Sequence, residues 1–166
     1  MVQKLLREKL PLHTHKRFEQ DILPMLQRHA KNEEWLKDIY HVYLYDLDND
    51  GKLDLIIGKK TGELMYYKNI GSLSTPQFQL TNPMLGNIDV STLTPDGYPT
   101  PHFFRVQDTT YLLLGSSDGF IRFYDAIDNA LSIGNSFNLR DADFLSLSKA
   151  IGGYSSCAVT DLDGDN

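Results

Sequence analysis

The sequence predicts a mainly β fold, built from repeated units of four antiparallel strands and preceded by a short α-helical segment. Three observations lead to this prediction. Residues 55–67 recur as residues 112–124, the chain after Tyr40 divides into short apolar runs separated by turns, and an acidic loop occurs twice. A repeat of 57–58 residues that contains several short strands indicates an array of β units.

The composition argues for a folded domain and against several classes of protein. The chain has 166 residues, of which 41% are hydrophobic and 11% aromatic, enough for a packed core. The formal net charge of −6 argues against a nucleic-acid partner bound through its phosphates. No apolar run reaches the length of about 18 residues that a membrane-spanning helix needs, so we expect no membrane insertion. The single Cys157 excludes an internal disulfide, and we expect a buried thiol there.

Residues 1–39 are predicted to form the helical segment. Apolar residues recur there at every fourth position and form one stripe along a helix: Phe18, Ile22, Leu26 and Ala30. Pro24 interrupts the stripe and is expected to kink or restart the helix. This segment does not match the repeats that follow it.

Residues 40–166 repeat with a period of 57–58 residues. Gly58 and Gly62 correspond to Gly115 and Gly119 at an offset of 57, and residues 46–50 correspond to residues 161–165 at an offset of 115. We therefore predict a first unit over about 40–97, a second over about 98–153 and an incomplete third over 154–166.

Each unit is predicted to contain four short strands. In the first unit they cover residues 41–45, 53–57, 63–68 and 77–81, with a turn at Gly62, where positive φ is allowed. Four short antiparallel strands per repeat are typical of a β-propeller blade, and closed propellers have about four to eight blades. The sequence thus predicts a partial propeller of about two to three blades. A solenoid of small β-arches is the alternative, although solenoid repeats are usually shorter, roughly 20–45 residues.

The acidic loop of the first unit predicts a calcium site. Four acids stand at positions 1, 3, 5 and 9 of the loop: Asp46, Asp48, Asp50 and Asp54. Gly51 permits a sharp turn, and the carbonyl of Lys52 is the expected backbone ligand. Calcium prefers six to eight oxygen ligands, and alternate spacing directs successive carboxylates to one centre. An EF-hand is excluded because Ile57 stands where its bidentate Glu would be. A solvated acidic turn is the alternative.

The other two copies differ at this loop. An offset of 57 places Phe103, Arg105, Gln107 and Tyr111 at the acidic positions of the second copy, which therefore predicts a plain hairpin without metal. The third copy begins the acidic pattern again, with Asn166 at the position of the glycine and with three acids: Asp161, Asp163 and Asp165.

These motifs resemble FG-GAP/VCBS-type repeats, which form integrin-like calcium-binding β-propellers. The pattern Asp-x-Asp-x-Asp-Gly-x-x-Asp-x-x-x-Gly runs from Asp46 to Gly58, and it is followed by Tyr-Tyr-Lys-Asn-Ile-Gly at 66–71 and Thr-Pro-Gln-Phe at 75–78. The resemblance covers about residues 40–166 and is greatest to secreted surface proteins of Bacteroidetes-type bacteria. It implies Ca²⁺ bound by Asp46, Asp48, Asp50 and Asp54, with Asp161, Asp163 and Asp165 in the third copy. It also implies an extracellular or cell-surface location.

The expected function is that of a non-enzymatic calcium-binding repeat module in adhesion or interaction, with a protein or glycan ligand at the cell surface. The alternative is a carbohydrate-binding accessory propeller of a larger extracellular enzyme. Residues 115–119 match the G-x-S-x-G pattern of hydrolases around Ser117. That pattern needs a helix after the serine, whereas residues 120–124 alternate like a strand. We therefore predict no enzymatic activity.

Overall fold

The described part of the computed structural model comprises residues 20, 22–24, 38–91, 96–147 and 153–159. It contains two four-stranded antiparallel sheets, each with its strands in chain order. Sheet 1 consists of β1 (Ile39–Tyr45), β2 (Asp54–Lys59), β3 (Leu64–Asn69) and β4 (Phe78–Asn82). Sheet 2 consists of β5 (Thr100–Val106), β6 (Thr109–Gly115), β7 (Ile121–Asp125) and β8 (Asn138–Asp141). The prediction of a mainly β protein with four-stranded antiparallel units is confirmed.

Short 3-10 turns follow the last strand of each sheet, at Leu85–Asn87 and Phe144–Ser146. No helix among the described residues has the length and apolarity required to cross a membrane. Of the predicted helical segment, only Gln20 and residues 22–24 are described before residue 38, and Leu23 and Pro24 are helical. At the end of that segment Asp38 lies in a turn and Ile39 is the first residue of β1. Its other residues lie outside the described part of the chain.

The first two strands of each sheet are joined differently. In sheet 1 their pairing ends at Tyr45 and Asp54, so residues 46–53 form a long loop. In sheet 2 the pairing continues to Val106 and Thr109, which leaves residues 107–108 as the turn. The second copy is therefore a plain hairpin, as its lost acids predict.

Each sheet presents apolar side chains on both sides because consecutive apolar or aromatic residues occupy the centres of its inner strands, as at residues 55–57 and 112–114. In sheet 1 we call these sides face A (Ile56, Leu64 and Tyr66) and face B (Leu55, Ile57 and Tyr67). Face A of sheet 1 packs against side chains of sheet 2 in the main core: Phe103, Leu112, Leu114 and Tyr124. Face B packs against Ile22, which is 1% exposed.

The two sheets stack in the same orientation. Leu112, Leu114 and Tyr124 correspond to Leu55, Ile57 and Tyr67 at the offset of 57, so they form face B of sheet 2. Face B of sheet 2 therefore covers face A of sheet 1. Such a head-to-tail arrangement leaves face A of sheet 2 without a sheet among the described residues.

The chain passes from one unit to the next by the same junction twice. The Tyr98 amide donates to the Lys60 carbonyl at 3.3 Å, and the Tyr154 amide donates to the Ser117 carbonyl at 3.2 Å. A Cβ on Gly58 would lie well under 3.0 Å from the Pro99 carbonyl oxygen. A Cβ on Gly115 would likewise lie well under 3.0 Å from the Ser155 carbonyl oxygen. Residues 153–159 thus join sheet 2 as residues 97–100 join sheet 1.

Candidate metal site

Three carboxylates of the loop 46–53 converge. Asp46, Asp48 and Asp50 each offer one oxygen, and these oxygens all lie within 4.8 Å of one another. The three side chains come from alternate positions directly after β1, the arrangement that the sequence predicts. Among the residues that the structure describes, they form the one such group of acids, histidines or cysteines.

The backbone of the loop curls around Asp46. Its Oδ1 accepts the amide of Asp50 at 3.0 Å, and its Oδ2 accepts the amide of Gly51 at 2.9 Å. Asn49 and Gly51 have φ values of 59° and 82°, in the left-handed region that asparagine and glycine tolerate best. A Cβ on Gly51 would meet no atom within 4 Å, so the glycine is needed there for its conformation rather than for space.

Asp54 fixes the loop from inside the sheet. Its side chain is fully buried and accepts three hydrogen bonds: from the Leu47 amide at 3.2 Å, the Tyr66 hydroxyl at 2.9 Å and the Asn69 amide at 2.8 Å. Burial raises the pKa of Asp54, and the bonds from Asn69 and Tyr66 oppose that rise. Asp54 does not belong to the converging group of three, and its role as a direct calcium ligand stays a prediction.

Two lysines lie against the acids. The Lys68 ammonium contacts Asp48 Oδ2 and lies 3.4 Å from Asp50 Oδ2. Lys52 Nζ lies 3.1 Å from Asp50 Oδ2 and donates to the Asn69 carbonyl at 2.9 Å. The hydrogen bond with Asp48 raises the pKa of Lys68. Burial acts to raise the pKa of Asp50, but hydrogen bonds from Lys52 and Lys68 outweigh it and hold that pKa below its ordinary value.

One oxygen of the cluster has no hydrogen-bond partner among the described residues. Asp48 Oδ1 is buried, while the other oxygen of the same carboxylate contacts Lys68. A buried carboxylate oxygen without a partner is costly, and a bound cation would satisfy it. The donor set consists of oxygen atoms, which fit a hard cation such as Ca²⁺ and do not favour zinc. The three aspartates could therefore hold a hard metal ion.

Four other predicted ligands lie outside the converging group. The Lys52 carbonyl stays a predicted ligand, and Asp161, Asp163 and Asp165 lie outside the described residues. Lys68 was not anticipated from the sequence, because its place next to the loop depends on how β3 pairs with β2.

The second unit has a neutral network at the same end of its sheet. Arg105 Nη2 lies 3.1 Å from Asp128 Oδ1. The Thr110 amide and hydroxyl donate to the same carboxylate at 3.0 and 2.6 Å. A cleft of about 270 Å³ separates this network from the acidic loop, with Asp48 and Arg105 among its lining residues. A direct ion pair thus stands in the second unit where the first has a cluster of like charges.

The serine of the G-x-S-x-G pattern has a structural contact. Ser117 Oγ donates to the Asp96 carbonyl at 2.7 Å, and β7 follows the turn instead of a helix. Cys157 is half-buried rather than fully buried as predicted, because it follows Tyr154 and Ser155, whose amides bond to the turn between β6 and β7, and belongs to no strand of sheet 2. Burial still raises the pKa of its thiol to about 11, which disfavours the reactive thiolate at neutral pH.

No protein-family model matches the chain, and no curated protein or solved structure matches it.

Proposed function

We propose that the chain is a non-enzymatic calcium-binding module of FG-GAP/VCBS-type β-propeller repeats. The observation that carries this proposal is the convergence of three alternate aspartates on one strand-loop-strand turn. Such a module belongs to a secreted or cell-surface protein and binds a protein or glycan ligand there. These last two points rest on the resemblance of the repeats alone.

Calcium has a structural role in this proposal. The three carboxylates repel one another, and Lys52 and Lys68 supply only two positive charges among them. A divalent cation would neutralise the group and satisfy Asp48 Oδ1. It would also tie together the ends of β1 and β2, which are joined by a long loop. Since the unfolded chain does not hold this arrangement, binding adds to folding stability.

The head-to-tail stacking of the two sheets supports the propeller arrangement. Stacking of face B on face A can be repeated, because each added sheet leaves its own face A available to the next sheet. Face A of sheet 2 carries an aromatic row, in which Phe104 and Tyr111, then Tyr111 and Phe123, have ring centroids 5.6 Å apart. Phe123 and Phe144 continue the row at 5.3 Å. A further sheet would cover this row as sheet 2 covers sheet 1.

The alternative function is that of a carbohydrate-binding accessory propeller of a larger enzyme. Sugar binding requires exposed aromatic rings beside hydrogen-bonding groups. Both functions share the calcium loop, but only the alternative requires a carbohydrate ligand, so absence of binding on a glycan array would exclude the alternative and leave the first function standing.

Thermal unfolding with and without calcium tests the proposed function. At a free calcium concentration of 100 times Kd, the gain in stability is about 2.7 kcal/mol. We expect the native chain to melt at a higher temperature in calcium than in chelator. Asp48→Asn removes one carboxylate of the group with little change of shape, so it should lose this gain. Asp108→Asn, on the exposed turn of the second hairpin, is the control and should keep it. Equal melting temperatures of the native chain in calcium and chelator would contradict the proposal.

A further inference from the structure

Lys68 lies where the calcium ion of the proposed function would bind. Its ammonium contacts Asp48 Oδ2 and lies 3.4 Å from Asp50 Oδ2, so it touches two of the three converging carboxylates. The side chain is 35% exposed and reaches the loop from β3. A lysine with this reach can leave the cluster without disturbing the sheet, because its stem is not part of the core.

The two units differ in this position as they differ in the loop. At the offset of 57, Lys68 corresponds to Asp125, which accepts Arg140 Nε at 3.2 Å and Asn138 Nδ2 at 2.7 Å. The unit without the acidic cluster therefore has an acid, not a base, at this point of its third strand. A basic residue here accompanies the carboxylates that need a counter-charge.

We infer that Lys68 is a tethered counter-cation of the acidic loop, and that calcium binding displaces it; the second half of this inference rests on the proposed function. Without calcium, the ammonium offsets the repulsion between Asp48 and Asp50 and keeps the loop folded. Calcium needs the same oxygens at about 2.3–2.6 Å, a distance that leaves no room for the ammonium on them. The remaining repulsion between the two cations drives the lysine outward. Lys68 thus lowers the affinity of the loop for calcium while it protects the calcium-free state.

Calcium titration calorimetry on the full chain tests this inference. Lys68→Met removes the charge and keeps the apolar stem, Lys68→Arg keeps the charge, and Lys59→Met is the matched control. Lys59 lies on the same sheet and pairs with Glu63 at 3.3 Å, at the end opposite the loop. We expect Lys68→Met to bind calcium about tenfold more tightly than the native chain, because a like charge has left the site. Lys68→Arg and Lys59→Met should keep the native affinity.

The two possible failures give different results. Equal affinity of the native chain and Lys68→Met would overturn the inference and leave the proposed function standing. Absence of binding by every variant would overturn both. Binding by Lys68→Met alone would mean that calcium does not displace Lys68 from the native loop, which overturns both the inference and calcium binding by the native chain.

A second measurement uses the native chain and does not depend on any variant folding. The rate of lysine acetylation is followed by peptide mass spectrometry in calcium and in chelator. Lys68 should react faster in calcium, because its ammonium is then released from Asp48, whereas Lys59 should react at one rate in both. An unchanged rate at Lys68, in samples that bind calcium by calorimetry, would overturn the displacement.

Discussion

Asp48 and Asp54 show how two carboxylates close in sequence take different roles. Asp54 accepts three hydrogen bonds inside the sheet, so both of its oxygens are satisfied by the protein. Asp48 has one oxygen on Lys68 and one buried oxygen without a partner among the described residues. The first carboxylate organises the loop, and the second has an oxygen that a cation could bind.

At the same scale, Asp118 in the second unit predicts a pH dependence of stability. Its carboxylate pairs with Arg122 at 2.6 Å and is only 14% exposed. Burial acts to raise the pKa of Asp118, but hydrogen bonds from Arg122 and Ser116 outweigh it and hold that pKa below its ordinary value. A carboxyl whose pKa is lower in the folded state stabilises the fold above its unfolded pKa of about 3.9. That contribution is lost as the pH falls through the folded pKa.

Chemical denaturation of the native chain and Asp118→Asn over a pH series measures this effect. The difference in the free energy of unfolding between them should be constant from about pH 7 to pH 5 and should shrink below about pH 4. A difference that stays constant down to about pH 2, where both proteins still fold, would show that the charge of Asp118 contributes nothing.

At the scale of elements, the junctions between units depend on two glycines at the ends of second strands. A Cβ on Gly115 would lie well under 3.0 Å from the Ser155 carbonyl oxygen and 2.6 Å from Thr100 Oγ1, which itself donates to that carbonyl at 3.0 Å. Gly115→Ala should therefore destabilise the chain by about 1–3 kcal/mol, the usual cost of overpacking. Gly153→Ala is the control, because its Cβ would meet the Ser117 carbonyl oxygen at an ordinary 3.5 Å. Equal unfolding midpoints for the two variants in urea would contradict this account of the junction.

The strands and the acidic loop could be predicted because they leave local patterns in the sequence. Alternation, turn glycines and the repeat itself place the first four strands within a few residues of their observed bounds. Contacts between distant elements leave no such pattern. The place of Lys68 at the loop depends on sheet pairing, and the Arg105–Asp128 pair joins residues from two elements of the second unit. A single repeat offset also does not align the strands on both sides of the loop. Equivalent residues of β1 and β5 are 59 residues apart, whereas those of β2 and β6 are 57 apart, because the two connecting loops differ in length.

At the scale of the whole molecule, the stacking of the sheets predicts that two aromatic residues at equivalent positions contribute different amounts to the free energy of unfolding. Tyr66 on face A of sheet 1 is 1% exposed beneath sheet 2. Phe123 holds the same position on face A of sheet 2 and is half-buried, with rings of Tyr111 and Phe144 as neighbours. Tyr66→Ala should cost about 3–5 kcal/mol, as for other fully buried aromatics, and Phe123→Ala should cost less than half of that. Equal costs in denaturant unfolding would mean that face A of sheet 2 is already covered in the chain.

The central claim is that Asp46, Asp48 and Asp50 together bind calcium, and a crystal structure of the chain grown in calcium tests it most directly. We expect one ion with six to eight oxygen ligands at about 2.3–2.6 Å, among them an oxygen from each of the three aspartates. The Lys68 ammonium should lie outside this shell. The same density will show whether the Lys52 carbonyl and Asp54 are ligands. A loop that holds no ion in saturating calcium, with Lys68 still on Asp48, would contradict the account.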